Sequence, residues 1–206
     1  MGMPAAKVFV EITDTNYYDI LAKQIKYNTK TISILNSLFS VNNKYYTITD
    51  SNFTQILNYK KQTEHPGLKD SIYAKIDFIT NNLIYSHIDN KIPSKIFNIF
   101  SFFHYLQNEL VINNKNSMNF SLDREGDLYT GELLLKNQNN SKLLYSLSLE
   151  KVKNINKIQR KTDIFTWALF LDNSERLLTI NKETGILEKC VFSRGFITLN
   201  AELISF

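Results

Sequence analysis

Four carboxylates, Asp123, Glu125, Asp127 and Glu132, flank a glycine at 126 and form the densest group of potential acid, base or metal-ligating side chains in the chain. A hairpin there would gather them. A metal-dependent nuclease core places an acid on one strand and Asp or Glu, one residue, then Lys on the next, so that two carboxylates hold Mg²⁺ while the lysine steadies the attacking water. Here three residues separate Glu132 from Lys136, which puts the two on one strand face two pleats apart. The spacing does not build the site, so the segment reads as a solvated hairpin turn and no catalytic residue is assigned.

Histidine and cysteine offer less. His65, His87 and His104 form no His-x-His or His-x-x-x-His pair, and the single cysteine, Cys190, forms no Cys-x-x-Cys, so no metal ligand set is assigned. His104, between Phe103 and Tyr105, reads as a half-buried, hydrogen-bonded helix residue. Cys190 lies in an alternating apolar run rather than at a helix N-terminus that would lower its pKa, and it reads as a core thiol. No serine stands in Gly-x-Ser-x-Gly, and none of the six glycines forms a phosphate-cradling loop ahead of a helix. Serine hydrolase, Walker-type NTPase and dinucleotide-binding classes therefore have no motif, and no cofactor is expected.

One basic run remains, K-V-K-N-I-N-K-I-Q-R-K, in which Lys151, Lys153, Lys157, Arg160 and Lys161 precede the next acid, Asp163. Exposed at a sheet edge, these five form the candidate binding patch for phosphates or an acidic protein surface. Aromatic rings are not interleaved with the charges, which argues against a platform for single-stranded nucleic acid.

The elements that would position these residues follow from composition and periodicity. The 206 residues suffice for one core, and 43% apolar with 13% aromatic content lies well above what leaves a chain disordered. The net charge of +4 is spread evenly, +2 on each side of Ile112, and only Arg124, Arg160, Arg176 and Arg194 carry the guanidinium fork suited to phosphate and guanine. No basic arm stands apart. No stretch near the start reads as a secretory signal and no apolar run reads as a membrane span, so with one cysteine the expected compartment is the reducing cytoplasm. The abundance of Lys, Asn, Ile, Tyr and Phe points to an A+T-rich genome, a coding bias without functional content.

Lys7 to Thr13 and Lys44 to Thr49 read as short strands. Asn16 to Ser40 reads as one or two helices, and Asn52 to Lys61 as a helix with Gln55 closing a capping box. Leu68, Ile72, Ile76, Ile79 and Leu83 make a helical stripe, and Pro93 opens a further helix whose buried face carries Ile96, Ile99, Phe100, Phe103, Leu106 and Leu110. Beyond Asn113 the period becomes two. Strands are expected over 118–122, 128–135, 143–149, 164–171, 177–180, 186–192 and 196–204, joined by short polar turns that make neighbours antiparallel.

The expectation is thus a single α+β domain over 1–206, a mainly helical part (1–112) packed on a meander of five to seven antiparallel strands (113–206). Without a catalytic motif, such a chain reads as a non-catalytic protein-interaction module: an adaptor, chaperone-like or structural subunit of a bacterial or viral assembly such as a secretion system, its partner another protein chain. The alternative is a metal-dependent enzyme acting on nucleic acid or another phosphate-bearing substrate. Nucleic acid is not the favoured partner, and oligomeric state is open.

Overall fold

The computed structural model describes residues 6–32, 40–86, 91–113, 115–153, 166 and 169–204. These form two antiparallel sheets around one helix. The first sheet follows chain order through β1 (Ala6–Tyr17), β2 (Ile20–Thr31), β3 (Asn42–Asp50), β4 (Ile56–His65), β5 (Leu68–Asp77), β6 (Asn82–Tyr85) and β7 (Lys91–Pro93). The helix α1 (Ile99–Asn113) comes next. The second sheet runs β8 (Ser117–Arg124), β9 (Asp127–Gln138), β10 (Lys142–Lys153), β11 (Glu175–Asn181), β12 (Leu187–Arg194) and β13 (Ile197–Glu202), again with each strand beside its neighbour in sequence. A parallel bridge from Phe97 to Leu122 stitches the two sheets together on one side. On the other side β1 and β13 are edges without a second partner among the described residues.

This architecture overturns the α+β expectation, because the helical N-terminal block is sheet. The reason is visible in β5. Leu68, Ile72 and Ile76 are four apart, and a spacing of four returns a residue to the same face of a strand as well as of a helix. Ile72 and Ile76 are buried at that spacing, while Ile79 lies in the β5–β6 turn and Leu83 in β6. In β2 to β4 the inward row includes Thr29, Asn43, Thr47, Thr49, Lys61 and Thr63, all buried, so the alternation is real but not hydrophobic. The expected 52–61 helix is a loop leading into β4. Asp50, rather than Asn52, does the capping: its Oδ1 accepts the Thr54 and Gln55 N–H groups at 2.6 and 2.8 Å.

In the second half the expected strands are present as β8 to β13, except over 164–171, where Thr166 and Leu169 are helical. The one expected helix that forms starts later than Pro93, which ends β7. Asn98 caps it: its Oδ1 accepts the Ser101 N–H at 2.9 Å while Ser101 Oγ accepts the Asn98 N–H at 3.1 Å, a reciprocal box. The cap is tied to the first sheet by Asn98 Nδ2 donating to Thr47 Oγ1 at 2.9 Å.

From Ile99 to His104 every side chain of α1 is buried, so the helix does not lie across one sheet face but is enclosed. Tyr27 and Tyr45 of the first sheet pack on Phe100, with ring centroids 4.6 and 4.7 Å away. Phe120 of the second sheet stacks on Phe102 at 3.9 Å. A Cβ on Gly131 would overlap the Phe120 ring, so glycine there is what lets β8 and β9 carry that ring against the helix. A continuous core runs from Ile25 through α1 to Cys190. No helix among the described residues is long and apolar enough to cross a membrane.

Candidate functional site

The acidic hairpin is not solvated. Glu125 and Gly126, with φ of 57° and 94°, make a two-residue turn whose hand suits the twist of β8 and β9, and the turn is folded inward. Asp123 is only 3% exposed. Its N–H donates to the Phe97 carbonyl at 2.7 Å, within the bridge that stitches the sheets, and its Oδ1 accepts the Gly126 N–H at 2.8 Å. The Tyr85 hydroxyl donates to its Oδ2 in a short bond. Glu125 reaches Lys61 on β4; the Lys61 side chain is fully buried and that of Glu125 nearly so. Lys61 Nζ also lies 5.8 Å from the Tyr45 ring centroid. The Arg124 guanidinium stacks over Phe170 at 4.7 Å. Four of these side chains, Lys61, Tyr85, Asp123 and Glu125, thus join the two sheets through polar contacts inside the molecule.

The arrangement leaves no room for a substrate. The void beside Asp123, Glu125 and Tyr59 holds about 10 Å³, at the lower limit for a single water. Asp127 is turned away to pair with Lys151 at 2.8 Å, and Glu132 is exposed on the outer face of β9. Each inward acid is thus engaged by its own partner and Glu132 stands apart, and among the described residues no group of three or more His, Cys, Asp or Glu is placed to hold a metal ion.

Burial pushes the Asp123 carboxyl up to about 7, although the bonds from Tyr85 and Gly126 pull the other way. The folded protein thus keeps a proton on Asp123 that the unfolded chain gives up near pH 4, and the stability it brings is full below that pH and lost as pH rises through 7. His104 opposes it. Burial lowers its pKa to about 4, so the folded imidazole is neutral, and its contribution is full above the ordinary value of 6.5 and lost as pH falls through 4. With the ring neutral and Gln107 Oε1 facing Nδ1 at 3.5 Å, the proton sits on Nδ1, and Nε2 accepts from the Tyr27 hydroxyl at 3.1 Å. Asp123→Asn keeps the shape and removes one of the two opposed contributions. Relative to the parent, this variant should gain about 2 kcal/mol or more of stability between about pH 5 and pH 8. Urea melts at the two pH values measure it; a constant difference between variant and parent would mean that Asp123 is ionised throughout.

Of the basic run, Lys151 is paired with Asp127, Lys153 is the last residue of β10, and Lys157, Arg160 and Lys161 lie outside the described residues. Cys190 is buried on β12, where burial pushes its thiol up to about 12. His87 is outside the described residues. Sequence reasoning missed Arg176, whose buried guanidinium gathers the carbonyls of Leu169, Leu171 and Ser174 and fixes the entry to β11. It also missed Lys61, which looks like one more surface lysine in K-Q-T-E.

What the molecule does offer to its surroundings are edges and turns. Ala6 to Asp14 of β1 are all exposed. Val8, Val10 and Ile12 lie opposite Thr29, Tyr27 and Ile25, so they extend the core-facing row of the sheet past the point where any described residue covers it. At the end of this strand a cleft of about 320 Å³ is lined by Tyr17, Tyr18, Ile20, Lys75, Ile76 and Phe78.

Two sheets of neighbour-paired strands, stitched on one side, open on the other and filled by a helix, define an unclosed, β-barrel-like protein. No family model matches the chain, and no curated protein matches it either. Among solved structures it is similar to a β-barrel-like protein of the domain of unknown function DUF1849 from Brucella abortus, with 7% sequence identity over 96% of this chain and 85% of that one and a TM-score of 0.55. The likeness is one of fold.

Proposed function

We propose that this chain is a non-catalytic protein-interaction module, a subunit or adaptor of a multiprotein assembly, that takes up an extended segment of another protein along β1. The observation that carries the reading is the edge itself. Nine consecutive residues of β1, Ala6 to Asp14, are exposed, with Val8, Val10 and Ile12 in a row on the face that continues the core. An unpaired strand is a template for another chain, and of the charged side chains that ordinarily guard such an edge β1 carries Lys7, Glu11 and Asp14, the last two held by Lys26 and Lys23 of β2. Main-chain hydrogen bonds from an added strand would supply affinity, and alternate apolar side chains covering Val8, Val10 and Ile12 would supply selectivity. The interior supports the same reading from the other side, since its polar cluster is packed too tightly to admit a reactant.

The test is stoichiometric co-purification of the full chain from its native cells, beside a Val8→Lys, Val10→Lys variant. Both side chains are exposed, so the melting temperature should hold while the partner is lost at least tenfold, the equivalent of about 1.4 kcal/mol. Amide exchange should show β1 gaining protection in the complex. A partner kept in full by the variant, or a chain that purifies alone, would refute the reading.

A further inference from the structure

We propose that the apolar turns at one end of the strands form a reversible docking surface for an anionic lipid bilayer, separate from the β1 edge. Because each strand is antiparallel to the next, successive turns alternate between the two ends of the sheets, and the parallel Phe97–Leu122 bridge sets the second sheet in the same sense as the first. Among the described residues, one end carries His65-Pro66-Gly67, Asn139-Asn140-Ser141 and Lys182-Glu183-Thr184, the polar, glycine and proline residues that turns ordinarily use. The other end carries Tyr18, Phe78-Ile79 and Phe196 in the β1–β2, β5–β6 and β12–β13 turns, beside the polar β3–β4 turn Ser51-Asn52 and the inward-folded β8–β9 turn Glu125-Gly126. Ile79 is 93% exposed, Phe196 99%, Tyr18 77%, and Leu21, beside the first turn, 74%. The exposed Leu203 and Ile204 follow β13 and so lie at the first end, outside any turn.

Tyr18 and Phe78 pack edge to face across their two turns, whereas Ile79 and Phe196 project almost fully into solvent, so the whole set does not make one continuous face. A flat, fluid apolar medium can take each independently. A rigid protein partner would need a matching pit for every one. Behind each turn stands a cation: Lys23 after Leu21, Lys75 before Phe78 and Arg194 before Phe196. Lys23 is shared with Asp14 at 2.5 Å, whereas Lys75 and Arg194 have no ion pair among the described residues. Of the acids in these turns, Asp77 is turned back onto the Ile79 N–H and the Thr80 hydroxyl, and Asp19 is exposed. Apolar side chains that enter the acyl region with basic residues at headgroup level are the pattern of reversible interfacial binding.

The first turn also carries strain that folding alone would not select. Tyr18 and Asp19 have φ of 45° and 64°, so a bulky aromatic occupies a left-handed position that Asn or Gly fills without cost. Tyr17 and Phe78 hold the Tyr18 ring in place, with centroids 4.8 and 6.0 Å away. A small apolar cluster of Ala22, Leu57 and Ile76 lies beneath.

The experiment is co-sedimentation of the full chain with phosphatidylcholine vesicles, with and without phosphatidylglycerol. Binding is expected with phosphatidylglycerol and should fall about tenfold or more in Ile79→Ser, Phe196→Ser. Lys75→Glu, Arg194→Glu should weaken it on the anionic vesicles only. Tyr18→Asn should raise the melting temperature while weakening binding, which separates a docking role from a folding one. A partition unchanged by the serine pair, equal binding to both vesicles, or no binding together with a dimer that the serine pair abolishes would each overturn the proposal.

Discussion

Replacing Lys61 by methionine should destabilise the protein by about 3–5 kcal/mol, a large share of the 5–15 kcal/mol that holds an ordinary domain folded. The lysine is fully buried, and its loss leaves the Glu125 carboxylate inside the molecule without its cation. The cost is that of an uncompensated buried charge, not the worth of the pair. Two charges taken from water lose most of what their attraction returns. The double change Lys61→Met, Glu125→Leu should therefore recover most of the loss, and chemical denaturation of the two single variants and the double one completes the cycle. A Lys61→Met variant as stable as the parent would mean that Glu125 can turn out to solvent, and the polar tie between the sheets would then be dispensable.

Phe102→Ala should cost a similar amount, about 3–5 kcal/mol, by a different mechanism. Its ring is fully buried, stacked at 3.9 Å on Phe120 and edge-on to Phe97 at 5.7 Å. Phe120 is held against it by the absence of a side chain at Gly131, so the walls of the resulting cavity have little freedom to collapse. Ile79→Ala, on an exposed turn, should lie within about 0.5 kcal/mol of the parent and serves as the control. A Phe102→Ala loss as small as that of Ile79→Ala would show that α1 is not the core of the barrel.

The second half of the chain was legible because its inward positions are apolar and its turns polar: Leu143, Tyr145 and Leu147 alternate with Leu144, Ser146 and Ser148, and β10 follows. The first half was not, for two reasons. A spacing of four satisfies both periods, and the residues that decide between them, the inward Thr29, Thr47, Thr63 and Lys61, do not look like core. Local propensity pointed correctly only where β-branched and aromatic residues cluster, as in Lys44 to Thr49. The polar cluster was legible in part. The acids around Gly126 were conspicuous, but the residues that pull them inward, Lys61 and Tyr85, lie 64 and 38 positions away. Nothing local marks Lys61 as buried, since the ring its ammonium lies over, Tyr45, comes from the neighbouring strand. His104 was expected half-buried and hydrogen-bonded; it is more enclosed than that, because the helix is surrounded and not laid on a surface.

The strict neighbour-to-neighbour pairing of the strands also bears on how the molecule assembles. Every ladder closes between strands adjacent in sequence, so most hairpins can zip on the microsecond scale without first closing a long loop, the β10–β11 pair with its connection over 154–174 being the exception. The side-chain ties that span the sequence among the described residues include Thr47 with Asn98, Tyr27 with His104, Lys61 with Glu125, and Tyr85 with Asp123. Such ties form only when the two sheets close around α1, after most of the backbone is already paired. Perturbing them leaves the folding rate nearly unchanged and quickens unfolding instead. The lifetime of the native state is thus set at the junction between the sheets, and the rate of reaching it within each of them.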